Sequence, residues 1–151
     1  MKLTTFTDYS LRVLMFLATQ PGRRATIAQI AGSFRISENH LVKVVHFLGQ
    51  TGWLDNVRGK GGGLQLAKPP QQIGIGAVVR QTEGRDLPAE CFGQESDHCA
   101  IVRICRLRLV LGEAVDAFYG ALDLYTLADL VQNRASLSKL LFTGQAQRRC
   151  A

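Results

Sequence analysis

The apolar residues near the start of the chain recur every three or four positions, which is the spacing of one face of a helix. In the first run these residues are Phe6, Tyr9, Val13, Phe16 and Leu17. Pro21 and Gly22 follow, and both favour the end of a helix. The pattern therefore predicts an amphipathic helix over about the first twenty residues.

Two shorter helical runs follow, over "TIAQIAGSF" and "ENHLVKVVHFLGQTG". Thr26 and Gln29 form a capping-box pattern before the first run, and Ser37 is a good N-cap for the second. Two short helices joined by a tight turn match a helix-turn-helix, in which the second helix reads DNA. Up to this point, a corner of a helical bundle with no role in DNA binding fits equally well.

A basic hairpin after the third helix favours DNA. Two strand-like runs, Trp53–Val57 and Leu64–Ala67, flank a turn in which four glycines alternate with Arg58 and Lys60. Neither a Walker motif nor a dinucleotide-binding glycine motif is present. A hairpin with two cations, placed directly after a recognition-type helix, is typical of the wing of a winged helix. We therefore predict a mainly α fold with a small β-hairpin wing, a winged helix-turn-helix.

The charge distribution supports a polyanionic partner. Residues 1–68 contain nine Lys or Arg and three acids, whereas residues 69–151 contain nine of each sign. All of the net charge of +6 therefore lies in the N-terminal half, which an evenly solvated surface would not produce. With the wing, this predicts double-stranded DNA as the partner. The expected DNA-binding residues are Thr26, Ser37, Glu38, Asn39, His40, Lys43, Arg58 and Lys60.

Beyond a short helix over "IGAVVRQTEG", a long helix is expected from Ile104, with its apolar residues spaced alternately by three and four. These residues are Ile104, Leu107, Leu111, Ala114, Phe118, Ala121 and Tyr125. Such a seam suits a partner helix, while a second apolar strip could cover the protein's own core. Homodimerisation on a palindromic DNA site is the expectation, and one helix buried on both sides within a monomer is the alternative. Thr126 and Asp129 start one last short helix, followed by a polar tail from Gly144.

Three of the four cysteines lie close together in the stretch "CFGQESDHCAIVRIC", at Cys91, Cys99 and Cys105. We find neither a transmembrane run nor a signal peptide, so a cytoplasmic protein with reduced thiols is expected. Clustered thiols then indicate metal or redox chemistry. His98 or Cys150 could complete a zinc or thiol site. No C-x-x-C and no paired base is present, so an enzyme is not expected.

The chain resembles the NsrR-type family of nitric-oxide-sensing repressors, which share a superfamily with the IscR-type regulators. The matching segments are "TDYSLRVLMFLA" (7–18), "SENHLVKVVHFLGQTGWL" (37–54), "RGKGGGLQLA" (58–67), the cysteine stretch and "LYTLADLV" (124–131). The resemblance implies a homodimeric winged-helix repressor of palindromic operators. It also implies an iron–sulfur cluster, [4Fe–4S] in preference to [2Fe–2S], with nitric oxide as the effector and no membrane partner. A cluster-, zinc- or thiol-based redox- or iron-responsive regulator of the same fold is the alternative.

The same resemblance implies the metal ligands. Cys91, Cys99 and Cys105 would be three of them. In IscR-type proteins a histidine one turn after the third cysteine is the fourth, and Arg108 stands there in this chain. In NsrR-type proteins an aspartate on the first helix of the other subunit is the fourth, and Asp8 matches it. The spacing from Cys91 to Cys99 is longer than the family's pattern, and a longer loop closes at small entropic cost.

The expected organisation has three parts. A winged helix-turn-helix DNA-binding region occupies residues 1–84, and a cysteine cluster loop occupies residues 85–103. The dimerisation helix, a C-terminal helix and the tail occupy residues 104–151.

Overall fold

The computed structural model describes residues 2–57, 59, 61–84, 89–93 and 99–146. Over these residues the chain forms seven α-helices and one two-stranded antiparallel hairpin. The elements are α1 (Thr5–Thr19), α2 (Ile27–Phe34), α3 (Glu38–Gln50), β1 (Leu54–Val57), β2 (Gly63–Leu66), α4 (Ile75–Glu83), α5 (Arg106–Asp123), α6 (Leu127–Leu130) and α7 (Arg134–Ala146). Short 3-10 turns lie at Pro70–Gln72 and Glu90–Phe92. The winged helix-turn-helix fold is confirmed.

The first three helices lie where the apolar spacing predicts them. The capping box of α2 is formed on both sides, because Gln29 N donates to Thr26 Oγ1 at 3.2 Å and Thr26 N donates to Gln29 Oε1 at 2.9 Å. Ser37 is the N-cap residue of α3, but its side chain makes no capping hydrogen bond. Its hydroxyl is exposed at the start of α3 instead.

The wing is attached to the segment before α2. Strands β1 and β2 pair from Leu54 with Leu66 to Val57 with Gly63. Leu64 also pairs with Ala25 through two backbone hydrogen bonds of 2.8 and 3.0 Å. Gly63 has φ of 145°, and a Cβ placed there would lie 3.0 Å from the carbonyl oxygen of Ala25. A glycine is therefore needed for the close approach that holds β2 in place.

The core lies where α1 crosses α3 and α4, and it is closed by α6. Its fully buried apolar side chains are Val13, Leu14, Ala18, Ile30, Leu41, Val44, Leu48, Ile73, Val78, Val79 and Leu127. Burying one such Val, Leu or Ile side chain contributes about 1.5–3 kcal/mol to folding. Among the described residues, no helix combines the length and the apolar character needed to cross a bilayer.

The C-terminal part differs from the prediction of one short helix and a polar tail. Helix α6 is only four residues long, and a thirteen-residue helix, α7, follows it. Helix α7 packs against α1 and α2, where the Phe142 and Phe16 rings are 4.9 Å apart and Ser33 Oγ donates to Leu141 O at 2.8 Å. The tail prediction was wrong for Gly144–Ala146, because these contacts stabilise a helix that continues through them.

Helix α5 begins two residues later than predicted, with Cys105 as its N-cap residue. Leu107 and Val110, in its N-terminal half, are 64% and 59% exposed. Phe118, Tyr119 and Leu122, in its C-terminal half, pack against the chain's own core. The inward-facing apolar residues of α5 therefore lie in its C-terminal half and the exposed ones in its N-terminal half, because only its last turns overlie α4. The predicted division into two strips was wrong.

Four consecutive residues in the last turn of α4, Arg80–Glu83, bind side chains or backbone of three other parts of the fold. We call them the α4 junction. The pairs are Arg80 with Asp123 of α5, Gln81 with Trp53 before β1, Thr82 with Thr7 of α1, and Glu83 with Thr4 at the N-cap of α1. Their distances lie between 2.6 and 2.9 Å. One short turn thus fixes α1, the base of the wing and α5 relative to one another.

Replacing Thr7 by valine tests the junction between α1 and α4. Thr7 is fully buried, and its hydroxyl donates to Thr82 Oγ1 at 2.9 Å. Because valine keeps the shape and removes the hydroxyl, we expect the free energy of unfolding to fall by about 1 kcal/mol in urea denaturation. Thr5→Val, at an exposed position of the same helix, should change it by less than about 0.5 kcal/mol. Equal stability of the two variants would contradict this role of Thr7.

Candidate DNA interface and metal-ligating residues

Helix α3 presents a polar face to solvent. All five of its predicted DNA-reading residues are exposed, namely Ser37, Glu38, Asn39, His40 and Lys43. The opposite face, with Leu41, Val44, Val45 and Leu48, is buried in the core. The helix therefore offers its N-terminal polar side to a groove, as reading of base edges requires.

Helix α1 supports α3 through two aromatic contacts. The Phe6 and Phe47 rings meet edge to face, with 5.3 Å between their centroids. The Tyr9 ring stacks on His40 at 6.4 Å with an interplanar angle of 30°. His40 is thus held by a side chain of α1, so a shift of α1 would displace a residue on the polar face of α3.

The two predicted cations of the wing, Arg58 and Lys60, lie outside the described residues. The glycines beside them, Gly59 and Gly61, have φ of 94° and 81°. These are backbone conformations that glycine adopts without strain, which agrees with a tight turn at this point.

Sequence reasoning missed Arg24, which supports the wing. Its Nη1 donates to Gly61 O at 2.9 Å and its Nε donates to Gln65 Oε1 at 3.2 Å. Arg24 therefore holds the wing turn against the segment before α2. The only signal in the sequence was its place in the basic half, because pairing across forty residues leaves no local pattern.

Thr26 lies exposed at the start of α2, where its side-chain oxygen accepts the capping hydrogen bond from Gln29 N. Structurally, it is a cap. Its role as a DNA contact stays a prediction.

The three clustered cysteines are all free thiols. Cys91 lies in the 3-10 turn Glu90–Phe92, and Cys105 is the N-cap residue of α5; both are half-buried. Cys99 is exposed and begins the turn that leads into α5, where Val102 N donates to Cys99 O at 3.0 Å. Within the described residues, none of the three forms a disulfide, and each is at least partly exposed.

The residue after Cys91 lies against α5. The guanidinium carbon of Arg108 lies 5.6 Å from the centre of the Phe92 ring, and a Cβ on Gly112 would lie 3.8 Å from that ring. Arg108, which occupies the position of a histidine ligand in IscR-type proteins, thus makes a cation–π contact. This contact places the turn that carries Cys91 beside the first two turns of α5, which Cys105 precedes.

The four predicted metal ligands are not gathered within one chain. Over the part of the chain that the structure describes, no three His, Cys, Asp or Glu side chains form a group able to hold a metal. Asp8 instead pairs with Arg12 one turn along α1, at 2.8 and 3.0 Å. The alternative ligands His98 and Cys150 lie outside the described residues.

Comparison with known proteins supplies the family. Residues 3–133 match the family model described as Rrf2, iron-dependent transcriptional regulator. The chain belongs to the Rrf2 family. The match includes the helix-turn-helix, the wing and the cysteine loop, and it ends one residue before α7.

Among curated proteins, the chain is similar to the HTH-type transcriptional regulator NsrR of Bacillus subtilis, with 50% identity over 93% of this chain and 97% of that protein. Among solved structures, it is similar to CymR, the global cysteine regulator of B. subtilis, with 28% identity and a TM-score of 0.68 over 88% of this chain and 98% of that one. It is also similar to IscR of T. potens, with 25% identity and a TM-score of 0.71 over 88% of each chain.

These similarities make this Rrf2 protein a DNA-binding transcriptional regulator and not an enzyme. They also explain why a helix-turn-helix, a wing and an excess of positive charge occur together in its N-terminal half.

Replacing Asn39 by alanine tests the DNA-reading face. Asn39 is exposed near the start of α3, and a side-chain amide discriminates bases in the major groove by about 1–3 kcal/mol per contact. We expect Asn39→Ala to lose discrimination at one base pair of the preferred site, measured by competition binding with single-base variants. Gln50→Ala, at the exposed far end of the same helix, should leave the base preferences unchanged. Identical base preferences for Asn39→Ala and wild type would remove Asn39 from the interface.

Proposed function

We propose that the protein is a homodimeric repressor that senses nitric oxide through an iron–sulfur cluster, [4Fe–4S] rather than [2Fe–2S], and releases a palindromic operator in response. The observation that carries the proposal is a set of three free cysteines in the segment that precedes α5, in an Rrf2 chain that is half identical to a regulator named NsrR.

The donor chemistry fits an iron–sulfur cluster. Thiolates are the ligands that such clusters prefer, and three of them are free in this loop. Two of the three are placed on or beside the start of α5. The N-terminal end of a helix carries partial positive charge, which favours an anionic group. Arg103 and Arg106 add two cations next to Cys105.

A second copy of the chain is the natural cover for the free part of α5. Ile104, Leu107, Leu109 and Val110 are 59–82% exposed, and they lie on consecutive turns. Burying apolar area of this kind is the main driving force of protein association. Two α5 helices packed together would cover these residues and would also bring the cysteine loop of each chain towards its partner.

Asp8 is suited to act as a ligand across that interface. Its carboxylate is 43% exposed, and its contact with Arg12 lies on the surface of α1. Surface ion pairs of this kind contribute only about 0–1 kcal/mol to stability. Asp8 could therefore leave Arg12 and bind iron at little cost in free energy. A carboxylate is also a harder and weaker ligand than a thiolate for such iron. A cluster held by three thiolates and Asp8 would supply an iron that binds nitric oxide.

The route from Asp8 to DNA runs along α1. Asp8 lies between Phe6 and Tyr9, whose rings contact Phe47 and His40 of α3. Holding Asp8 at the partner's cysteine loop would fix α1 and, through these two contacts, the orientation of α3. Releasing Asp8 would return it to Arg12 and free α1. A hundredfold loss of DNA affinity needs only about 2.7 kcal/mol between the two states.

Mixed dimers test whether Asp8 acts across the interface. We would purify, through two different tags, dimers that contain one Asp8→Ala chain and one Cys99→Ala chain. If Asp8 acts on the partner's cysteines, this dimer has one site with all four ligands, and one wild-type-like cluster per dimer should appear in its absorption and Mössbauer spectra.

The two parent homodimers are the controls. Asp8→Ala should retain a cluster with an altered spectrum and an altered response to nitric oxide, and Cys99→Ala should lose the cluster. Cys150→Ala should match wild type. Absence of any wild-type-like cluster in the mixed dimer would exclude ligation by Asp8 across the interface.

A further inference from the structure

In addition to the core packing of Phe118, Tyr119 and Leu122, an exposed ion pair between Arg80 and Asp123, which we call the clamp, joins helix α5 to its own winged helix. Two hydrogen bonds of 2.6 Å join Nη1 and Nη2 of Arg80 to the two carboxylate oxygens of Asp123. The guanidinium carbon also lies 4.6 Å from the centre of the Tyr119 ring, one turn earlier on α5. The planar guanidinium thus meets both a carboxylate and a ring of α5, in a geometry that depends on the orientation of α5.

The sequence leaves room for this close approach at Gly76, one turn before Arg80. A Cβ at Gly76 would collide with the carboxylate of Asp123 and would lie 3.0 Å from Nη1 of Arg80. Gly76 is the second residue of α4, and glycine has a lower helix propensity than alanine. Glycine at this position therefore lowers the helix propensity of α4 and leaves space for the clamp.

The paired groups perturb one another. The hydrogen bond to Asp123 raises the pKa of Arg80, and the hydrogen bond from Arg80 lowers the pKa of Asp123.

The position of the clamp amplifies small movements. From Asp123 back to Cys105, α5 spans about 27 Å at 1.5 Å per residue. A tilt of about 10° at the clamp would move the far end by about 5 Å, which exceeds the rise of about 3.4 Å of one base pair. The exposed residues of the N-terminal half, Leu107 and Val110 among them, give that half little support from its own core.

We infer that Arg80, Asp123 and Gly76 determine the separation of the operator half-sites that the protein accepts, by fixing the angle between α5 and its winged helix. This inference rests on the proposed dimer through α5. In that dimer the angle at each clamp sets the distance between the two α3 helices, and half-site spacing mirrors that distance. Arg80, Asp123 and Gly76 would be positioning residues that never touch DNA.

The test uses full-length protein and a series of DNA duplexes. Each duplex carries two copies of the half-site that wild type selects from random DNA, separated by spacers that differ by one base pair. Wild type should bind one spacer about tenfold more tightly than its neighbours in the series. Asp123→Asn, which keeps the shape and removes the charge, should reduce this preference to about threefold or less.

Gly76→Ala and Asp116→Asn complete the design. Gly76→Ala should also flatten or shift the spacer preference, although it retains both charges. Asp116→Asn removes the same charge from an exposed position of the same helix and should keep the wild-type preference. Circular dichroism and sedimentation must show folded dimers for all variants, and a clamp variant that is unfolded or monomeric would overturn the inference, since the clamp would then serve stability.

The outcomes separate the two proposals. If wild type is a dimer with a spacer preference that Asp123→Asn and Gly76→Ala both keep, the clamp inference is overturned and the proposed dimer stands. If wild type is a dimer that binds all spacers equally, the clamp inference alone is overturned. If wild type is a monomer, the proposed dimer fails, and the clamp inference fails with it.

Discussion

The hydrogen bonds of the α4 junction are the interactions on which the arrangement of this protein depends. Helices α1, α3 and α4 each bury one apolar face, and such faces tolerate sliding because apolar contact has little direction. Hydrogen bonds do have direction, and Arg80–Glu83 supply them to α5, to Trp53 at the base of the wing and to α1. Without them the core could still form, but the angles between these elements would be loosely set.

The junction also explains how a loop of cysteines can influence a DNA-reading helix in the proposed function. Gly84 ends α4 directly after the junction, and the chain then leads to Cys91. A movement of the cysteine loop would act on the α4 junction, which holds α1. Helix α1 in turn supports α3 through Phe6 and Tyr9. Asp8 would add a second route to the same helix from the partner chain. Both routes end at α1, which makes the contact between α1 and α3 the step where the switch would act.

Much of the fold could be predicted because it follows from local patterns. The apolar spacing, the capping box at Thr26 and the glycines of the wing each report on their own few residues, and the structure agrees with them. The junction could not be predicted, since Thr4 and Glu83 are 79 residues apart and no periodicity connects them. The role of Arg24 could not be predicted for the same reason. The end of helix α7, Gly144–Ala146, was predicted as tail because the stability of this helix comes from packing on α1 and α2 and not from a regular apolar face. For the site, the clustered thiols pointed to Cys91, Cys99 and Cys105, and Asp8 was implied only by the resemblance. In the proposed function their assembly depends on a second chain, which one sequence cannot display.

Native mass spectrometry of anaerobically purified protein tests the proposal that one dimer carries clusters whose reaction with nitric oxide ends DNA binding. The proposed function predicts a dimer of two 16.6 kDa chains with the added mass of two iron–sulfur clusters, bound to DNA selected by the same protein. Adding nitric oxide in steps should convert the clusters and deplete the DNA complex together, while the dimer remains. The proposed function would be contradicted by a dimer that carries zinc or bare thiols and binds its DNA equally well at every nitric oxide concentration.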